Sequence, residues 1–257
     1  MTGKVMALSA MGRDDDALPL LENLARQNAK DISAQFNYAV ALMRVSEHAA
    51  ALTALHRVVQ LDPTHVRARF NMAVLLQAMN KNDAALTIWR QLTDEAQLTS
   101  SSNLRATGSL SASAETGEQA ASGTVRVTSS MLVDAWSHRG ELALQLKQPV
   151  EAEQCYQQVV QLEPGNALAW CNIGIARSEQ SRRSDALTAL SIALQMDPNL
   201  VPALNQTAYL QAANYRDTGN PACGRVVVDC CRRSLRTKPG QPNIAALERA
   251  ARAFDPS

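Results

Sequence analysis

Apolar and polar positions along the chain fall into short stretches of helical period. In "AWCNIGIARSEQSRRSDALTALSIALQMDP", which ends at Pro198, apolar residues recur at i, i+3, i+4 and i+7 on either side of a polar break. That spacing places them on one face of each of two successive helices. The closing "DP" stops the second helix, because proline cannot continue it and restrains the residue before it. The same acid-proline stop closes "QLDP" at Pro63 and "QLEP" at Pro164. The pattern predicts paired amphipathic helices.

The pairs repeat. "FNYAVAL" from Phe36 returns as "FNMAVLL" from Phe70, 34 positions on, and Pro164 and Pro198 have the same separation. With the proline at position 32, units of 34 residues begin near Ile32, Val66, Val133, Ala167 and Val201. Position 8 then reads Ala39, Ala73, Gly140, Gly174 and Ala208, and position 20 reads Ala51, Ala85, Ala152 and Ala186. Small residues at both places let two helix backbones approach closely. Position 4 holds Trp136 and Trp170, and position 24 holds Leu55, Trp89, Tyr156 and Leu190. Thr64, Asn166 and Asn199 follow the stops as candidate N-caps of the next helix. A lone hairpin cannot bury both faces, so neighbours must stack.

These positions resemble the tetratricopeptide repeat family. The resemblance implies an all-α fold: a right-handed α-solenoid of about six helical hairpins, each with a helix A and a helix B, plus a terminal capping helix. Extended backwards, the register puts Met1 at position 4 and Ala17 at position 20. "VMALSAM" then reads as an abbreviated first helix A rather than a secretory signal, and "GRDDDAL" as the start of helix B.

Two stretches depart from the period. Residues 99–130 are rich in Ser, Thr and Gly with no apolar period, and read as a disordered insertion between repeats at 1–98 and 131–241. A coil of this length spans about 30 Å, enough either to bulge from a continuous solenoid or to separate two arms. Near the end, "RDTGNPACG" intrudes where a short turn is expected, and the next stop, Pro239, comes 41 residues after Pro198. Residues 242–257 hold a last amphipathic helix, "NIAALERAARAF", with Asn243 a candidate cap. Such a helix covers the final repeat of a solenoid.

Composition agrees with helices: 46% of residues are apolar and only 4% aromatic. A net charge of +1 offers no field for nucleic acid or an anionic membrane. No run approaches the roughly 20 apolar residues of a membrane helix. Five cysteines, Cys155, Cys171, Cys223, Cys230 and Cys231, form no CxxC and predict a reducing, cytoplasmic location. GxSxG, Walker, HExxH and GxGxxG patterns are all missing from the sequence. His138 and Glu141, at i and i+3, read as a solvated contact before a ligand pair, and the Cys230–Cys231 group as buried small hydrophobes before a redox or metal centre. The basic "RRSLRTK" suits a helix C-terminus.

What remains is the face of helix A. In the family, positions 2, 5, 6, 9, 12 and 13 line a concave groove. Position 6 here is Asn37, Asn71, His138, Asn172 and Gln206; position 5 includes Phe36 and Phe70; position 9 includes Val40 and Val74; position 2 includes Arg67. Amides donate and accept, so a row of them suits the backbone of an extended peptide. The alternatives stay open that asparagine is merely the residue usual at that position and that the phenylalanines are core. Families that clamp a terminal carboxylate carry Lys or Arg at positions 2, 5 and 6 and Asn at 9, and only Arg67 fits that. The predicted function is a non-catalytic scaffold or adaptor that binds a protein or extended peptide, with no cofactor or metal. A second reading is the regulatory array of a larger enzyme, such as a glycosyltransferase. The abbreviated first repeat keeps it open, whereas the terminal helix followed by "DPS" points to a true C-terminus.

Overall fold

The computed structural model describes residues 14–107 and 128–254, with side chains placed over 16–98 and 128–252. Those residues form twelve α-helices and no strand. They divide into two compact units, Met1–Ala135 and Trp136–Ser257. The first holds α1 (Asp14–Gln27), α2 (Ile32–Arg44), α3 (His48–Leu61), α4 (Val66–Ala78), α5 (Asn82–Thr107) and the start of α6 (Ser129–Gln145). The second holds the rest of α6, then α7 (Pro149–Leu162), α8 (Ala167–Glu179), α9 (Arg183–Met196), α10 (Val201–Thr218), α11 (Pro221–Thr237) and α12 (Pro242–Phe254). Within each unit sequential helices pack as hairpins, and α8 also touches α10, so helix A of one repeat meets helix A of the next.

The register holds. Ala39, Ala73, Ala208, Ala51, Ala85, Ala152 and Ala186 are fully buried. A Cβ at Gly140 would sit 2.9 Å from Tyr156 Cε2, and one at Gly174 would sit 2.7 Å from Leu190 Cγ. In these two repeats positions 8 and 24 therefore meet with no room for a methyl group. Ala17, expected at position 20 of the first repeat, is buried in α1; "VMALSAM" lies outside the described residues.

Four of the turns from helix A to helix B close in the same way. Position 15 is left-handed in four repeats: Ser46 (φ 63°), Asn80 (58°), Lys147 (58°) and Ser181 (62°). The next residue donates its N–H five residues back, Glu47 to Leu42 O (2.9 Å), Lys81 to Leu76 O (2.8 Å), Gln148 to Ala143 O (2.7 Å) and Arg182 to Arg177 O (2.9 Å). This is a Schellman closure, which satisfies carbonyls that the helix end would leave bare.

Helix starts differ from expectation in part. Asn166 does cap α8, its side chain accepting from Ala169 N at 3.0 Å. Thr64 does not cap α4: its N–H and hydroxyl bond Asp62 Oδ1, and His65 Nδ1 accepts from Ala68 N at 3.1 Å instead. Asn199 likewise donates its N–H to Asp197 Oδ1 at 3.0 Å, leaving Leu200 at the cap of α10. The acid of the stop motif captures the turn, which moves the cap one residue on. Asn243 lies inside α12, which starts at Pro242.

The boundaries 98 and 131 also shift. α5 runs on to Thr107, because position 32 of that repeat is Gln97 and neither Pro nor Gly interrupts it before Gly108. Ser129 and Ser130 open α6, with Met131 N donating to Thr128 Oγ1 at 3.2 Å. Residues 108–127 lie outside the described residues. The seven-residue excess near the end forms no loop. α10 and α11, at 18 and 17 residues, are longer than the 13 and 14 of α8 and α9, and Asn220 caps α11 just before Pro221.

Polar clamps join successive elements of the second unit. Glu153 on α7 is buried and accepts from Arg177 Nε (2.7 Å), Arg182 Nη1 (2.8 Å) and Gln180 Nε2 (2.9 Å). Burial pushes its carboxyl up, but the hydrogen bonds from Arg177 and Gln180 and the charges of Arg177 and Arg182 outweigh burial and hold it below its ordinary value. At the end, Ser234 Oγ donates to Asn205 Oδ1 (2.6 Å), and Asn205 Nδ2 to Gln241 Oε1 (2.8 Å). Gln241 precedes Pro242, so this ring fixes where α12 begins.

Candidate functional site on the helix-A face

In the first unit the predicted residues lie on α2 and α4. Phe36, Val40, Phe70, Asn71 and Val74 are half-buried, while Asn37 and Arg67 are exposed. The Phe36 ring packs 4.9 Å from the His65 ring, with Arg67 Cζ 5.7 Å from its centroid. A guanidinium over an aromatic face at this distance is a cation–π contact. Phe36 also rests on the core around Leu55 and Val58. Phe70 meets the buried Trp89 edge to face at 4.8 Å. Each phenylalanine thus packs on one side and stays partly exposed on the other. The structure brings Phe36 and Arg67 together and adds His65.

In the second unit the predicted amides have partners within the chain. Gln206 Nε2 donates to Ser178 Oγ at 3.1 Å. Asn172 is hydrogen-bonded to the buried Tyr156 phenol. Burial, first, and the nearby Glu141 charge push that phenol well above its ordinary range, while the Asn172 bond opposes them. His138 and Asn172 share a cavity of about 410 Å³ between α6 and α8, walled also by Glu141, Leu144, Tyr156 and Leu168. His138 Nδ1 lies 4.0 Å from Glu141 Oε2. Gln206 does not line this cavity. Two apolar residues on the same face were missed: Leu168, 52% exposed at position 2, and Tyr209, 45% exposed at position 9. The repeat register carried the signal for both.

Other candidate chemistry finds structural roles. Burial pushes the thiols of Cys171 and Cys231 up to about 12 and that of Cys230 up to about 11, so they stay protonated at neutral pH. Among the described residues no three His, Cys, Asp or Glu side chains gather as a metal site requires. In the basic end, Arg232 pairs with Glu248 at 3.2 Å and Arg233 with Asp229 at 3.1 Å. No described helix is long and apolar enough to cross a membrane.

Sequence models of the tetratricopeptide repeat match residues 2–66, 43–106 and 133–166. This chain belongs to the tetratricopeptide repeat family. Solved tetratricopeptide-like structures agree in fold. "YrrB: a TPR protein with an unusual peptide-binding site" is 15% identical, with 89% of this chain and 97% of that one covered at a TM-score of 0.62. PilF of Pseudomonas aeruginosa is 12% identical, with coverage of 96% and 95% and a TM-score of 0.63. MamA from Desulfovibrio magneticus RS-1 is 15% identical, covering 81% and 97% at a TM-score of 0.57. Identities this low carry the fold of the repeat array and nothing finer. No curated protein matches the chain.

Proposed function

We propose that this chain is a non-catalytic interaction scaffold whose helix-A face holds an extended peptide or protein segment. One observation carries the reading: in the first unit, Phe36, Asn37, Phe70 and Asn71 recur one repeat apart, and none is fully buried. Half-exposed aromatics beside amides offer apolar anchors and backbone partners together. Arg67 adds a cation already stacked on one anchor. YrrB, described as a TPR protein with an unusual peptide-binding site, has a similar fold, which supports the assignment. In the second unit Asn172 and Gln206 make hydrogen bonds within the chain, so the reading rests on the amides of the first unit.

The phenylalanines also support the core, so the test uses Asn37→Ala, Asn71→Ala and Arg67→Glu combined. That variant is expected to keep its helicity while partner binding falls by tenfold or more, at about 0.5–1.5 kcal/mol for each lost hydrogen bond. Unchanged affinity in the folded variant would place the site elsewhere.

A further inference from the structure

Independently of the peptide-groove reading, we infer that the second unit binds a medium-length fatty acid in the cavity between α10, α11 and α12, with Arg216 holding its carboxylate. The seven-residue excess near the end of the chain builds this cavity. α10 and α11 are 18 and 17 residues long, whereas α12, which packs against α11, has only 13. The hairpin is thus longer than the helix that covers it. Tyr215, Arg216 and Gly219 line the cavity from the lengthened end of α10 and its cap, Gly224 and Val227 from the start of α11, and Ala251 from the second half of α12. Its volume is about 630 Å³, within the range of small-ligand pockets.

Gly224 keeps the space open. Glycine weakens a helix, and at Gly140 and Gly174 close packing explains it, because a Cβ would collide there. Gly224 lies within α11, and a Cβ on it would meet only Tyr215, at 3.8 Å, an ordinary contact. Among the described residues nothing needs the missing side chain, whereas a molecule in the cavity does. The lining also sets the chemistry of that molecule. Ala212, Val227, Leu247, Ala250 and Ala251 offer apolar surface. Along α10 the lining runs from Ala212 to Gly219, about 10 Å at the helical rise, which matches about eight carbons of an extended alkyl chain. Among the described residues Arg216 is the one charged group on the lining, and no Asp or Glu joins it. Its neighbour Asp217 is held by Arg183, and Arg216 itself makes no ion pair among the described residues. An apolar body that covers Arg216 takes water from the guanidinium, and a carboxylate on the same molecule replaces that water with a charge-assisted, bidentate contact. A neutral head makes no such replacement, and a cationic head is repelled.

Titration calorimetry of the full chain with sodium decanoate, kept below its micelle concentration, tests this. The wild-type chain is expected to bind one decanoate saturably, and 1-decanol about tenfold more weakly. Arg216→Gln should weaken decanoate by a similar factor and leave decanol unchanged, so that the variant no longer separates the two. Gly224→Leu fills the cavity and should abolish binding of both, while its melting temperature stays at or above that of the wild type. Ala250→Leu fills the same space from α12 and should also abolish binding, which keeps the test decisive if leucine at 224 disturbs α11. Absence of saturable decanoate binding, binding that survives both filling substitutions in folded protein, or equal affinity for decanol and decanoate would overturn the inference. Sedimentation of the same samples reads the other occupant: self-association of the wild type that Gly224→Leu and Ala250→Leu abolish would give the cavity to a second copy of the chain and overturn it as well.

Discussion

Replacing Glu153 by alanine should unfasten two consecutive repeats of the second unit. The change removes three hydrogen bonds of 2.7, 2.8 and 2.9 Å from Arg177, Arg182 and Gln180. Added singly, at about 1.5–3 kcal/mol for each bond to a charged group, they exceed the roughly 3–5 kcal/mol seen when a buried ion pair loses one member. Exposure lowers the figure further. The Arg182 side chain is 42% exposed and keeps Asp185 at 2.8 Å, so it is not stranded. Arg177, only 20% exposed, is left with a 3.4 Å contact to the Asp185 carbonyl. The loss should therefore be about 2–3 kcal/mol. It should also depend on pH. The Glu153 carboxyl titrates below its ordinary value in the folded chain, so its contribution is present above the unfolded pKa and vanishes as pH falls through the folded one. Urea unfolding followed by circular dichroism should show the full deficit at neutral pH and convergence with the wild type in acid. A deficit under about 0.5 kcal/mol at neutral pH, typical of a surface pair, would refute the clamp.

Three further outcomes follow from the same geometry. Gly174→Ala should destabilise by about 1–3 kcal/mol, because the new methyl group collides with Leu190 and crowds the Ala186 carbonyl; thermal melting reads it, against a gain of about 1 kcal/mol in helix propensity if the contact were slack. Ser46→Gly and Ser181→Gly, at left-handed positions, should each stabilise by up to about 1 kcal/mol in urea titrations. Asn205→Ala breaks the ring that anchors Gln241, so amide exchange in α12 should quicken while that in α7 stays unchanged.

The repeat was legible because close packing leaves the sequence few choices. Gly140 and Gly174 stand where a Cβ would collide, and alanine fills position 20 in five repeats, at Ala17, Ala51, Ala85, Ala152 and Ala186. A helix end needs an active stop, and that was harder to read. "TSSSNLRAT" has poor helix propensity, yet α5 passes through it, since weak propensity without proline or glycine does not end a helix already paid for by packing. The extra residues near Gly219 looked like a loop but lengthened both helices, because Asn220 and Pro221 are themselves a helix start. The candidate site was legible as a row and illegible as an inventory of available groups. Whether Asn172 faces a ligand or bonds Tyr156 depends on where α7 and α8 cross, which no local pattern records.

The helix-A face as the binding surface is tested most directly by site-specific photo-crosslinking in the full chain. A photoreactive residue replaces Asn37 in one variant and Gln60 of α3 in another, both exposed positions. Partner adducts should form from position 37 and not from position 60. Adducts from position 60 alone, or equally from both, would contradict the assignment.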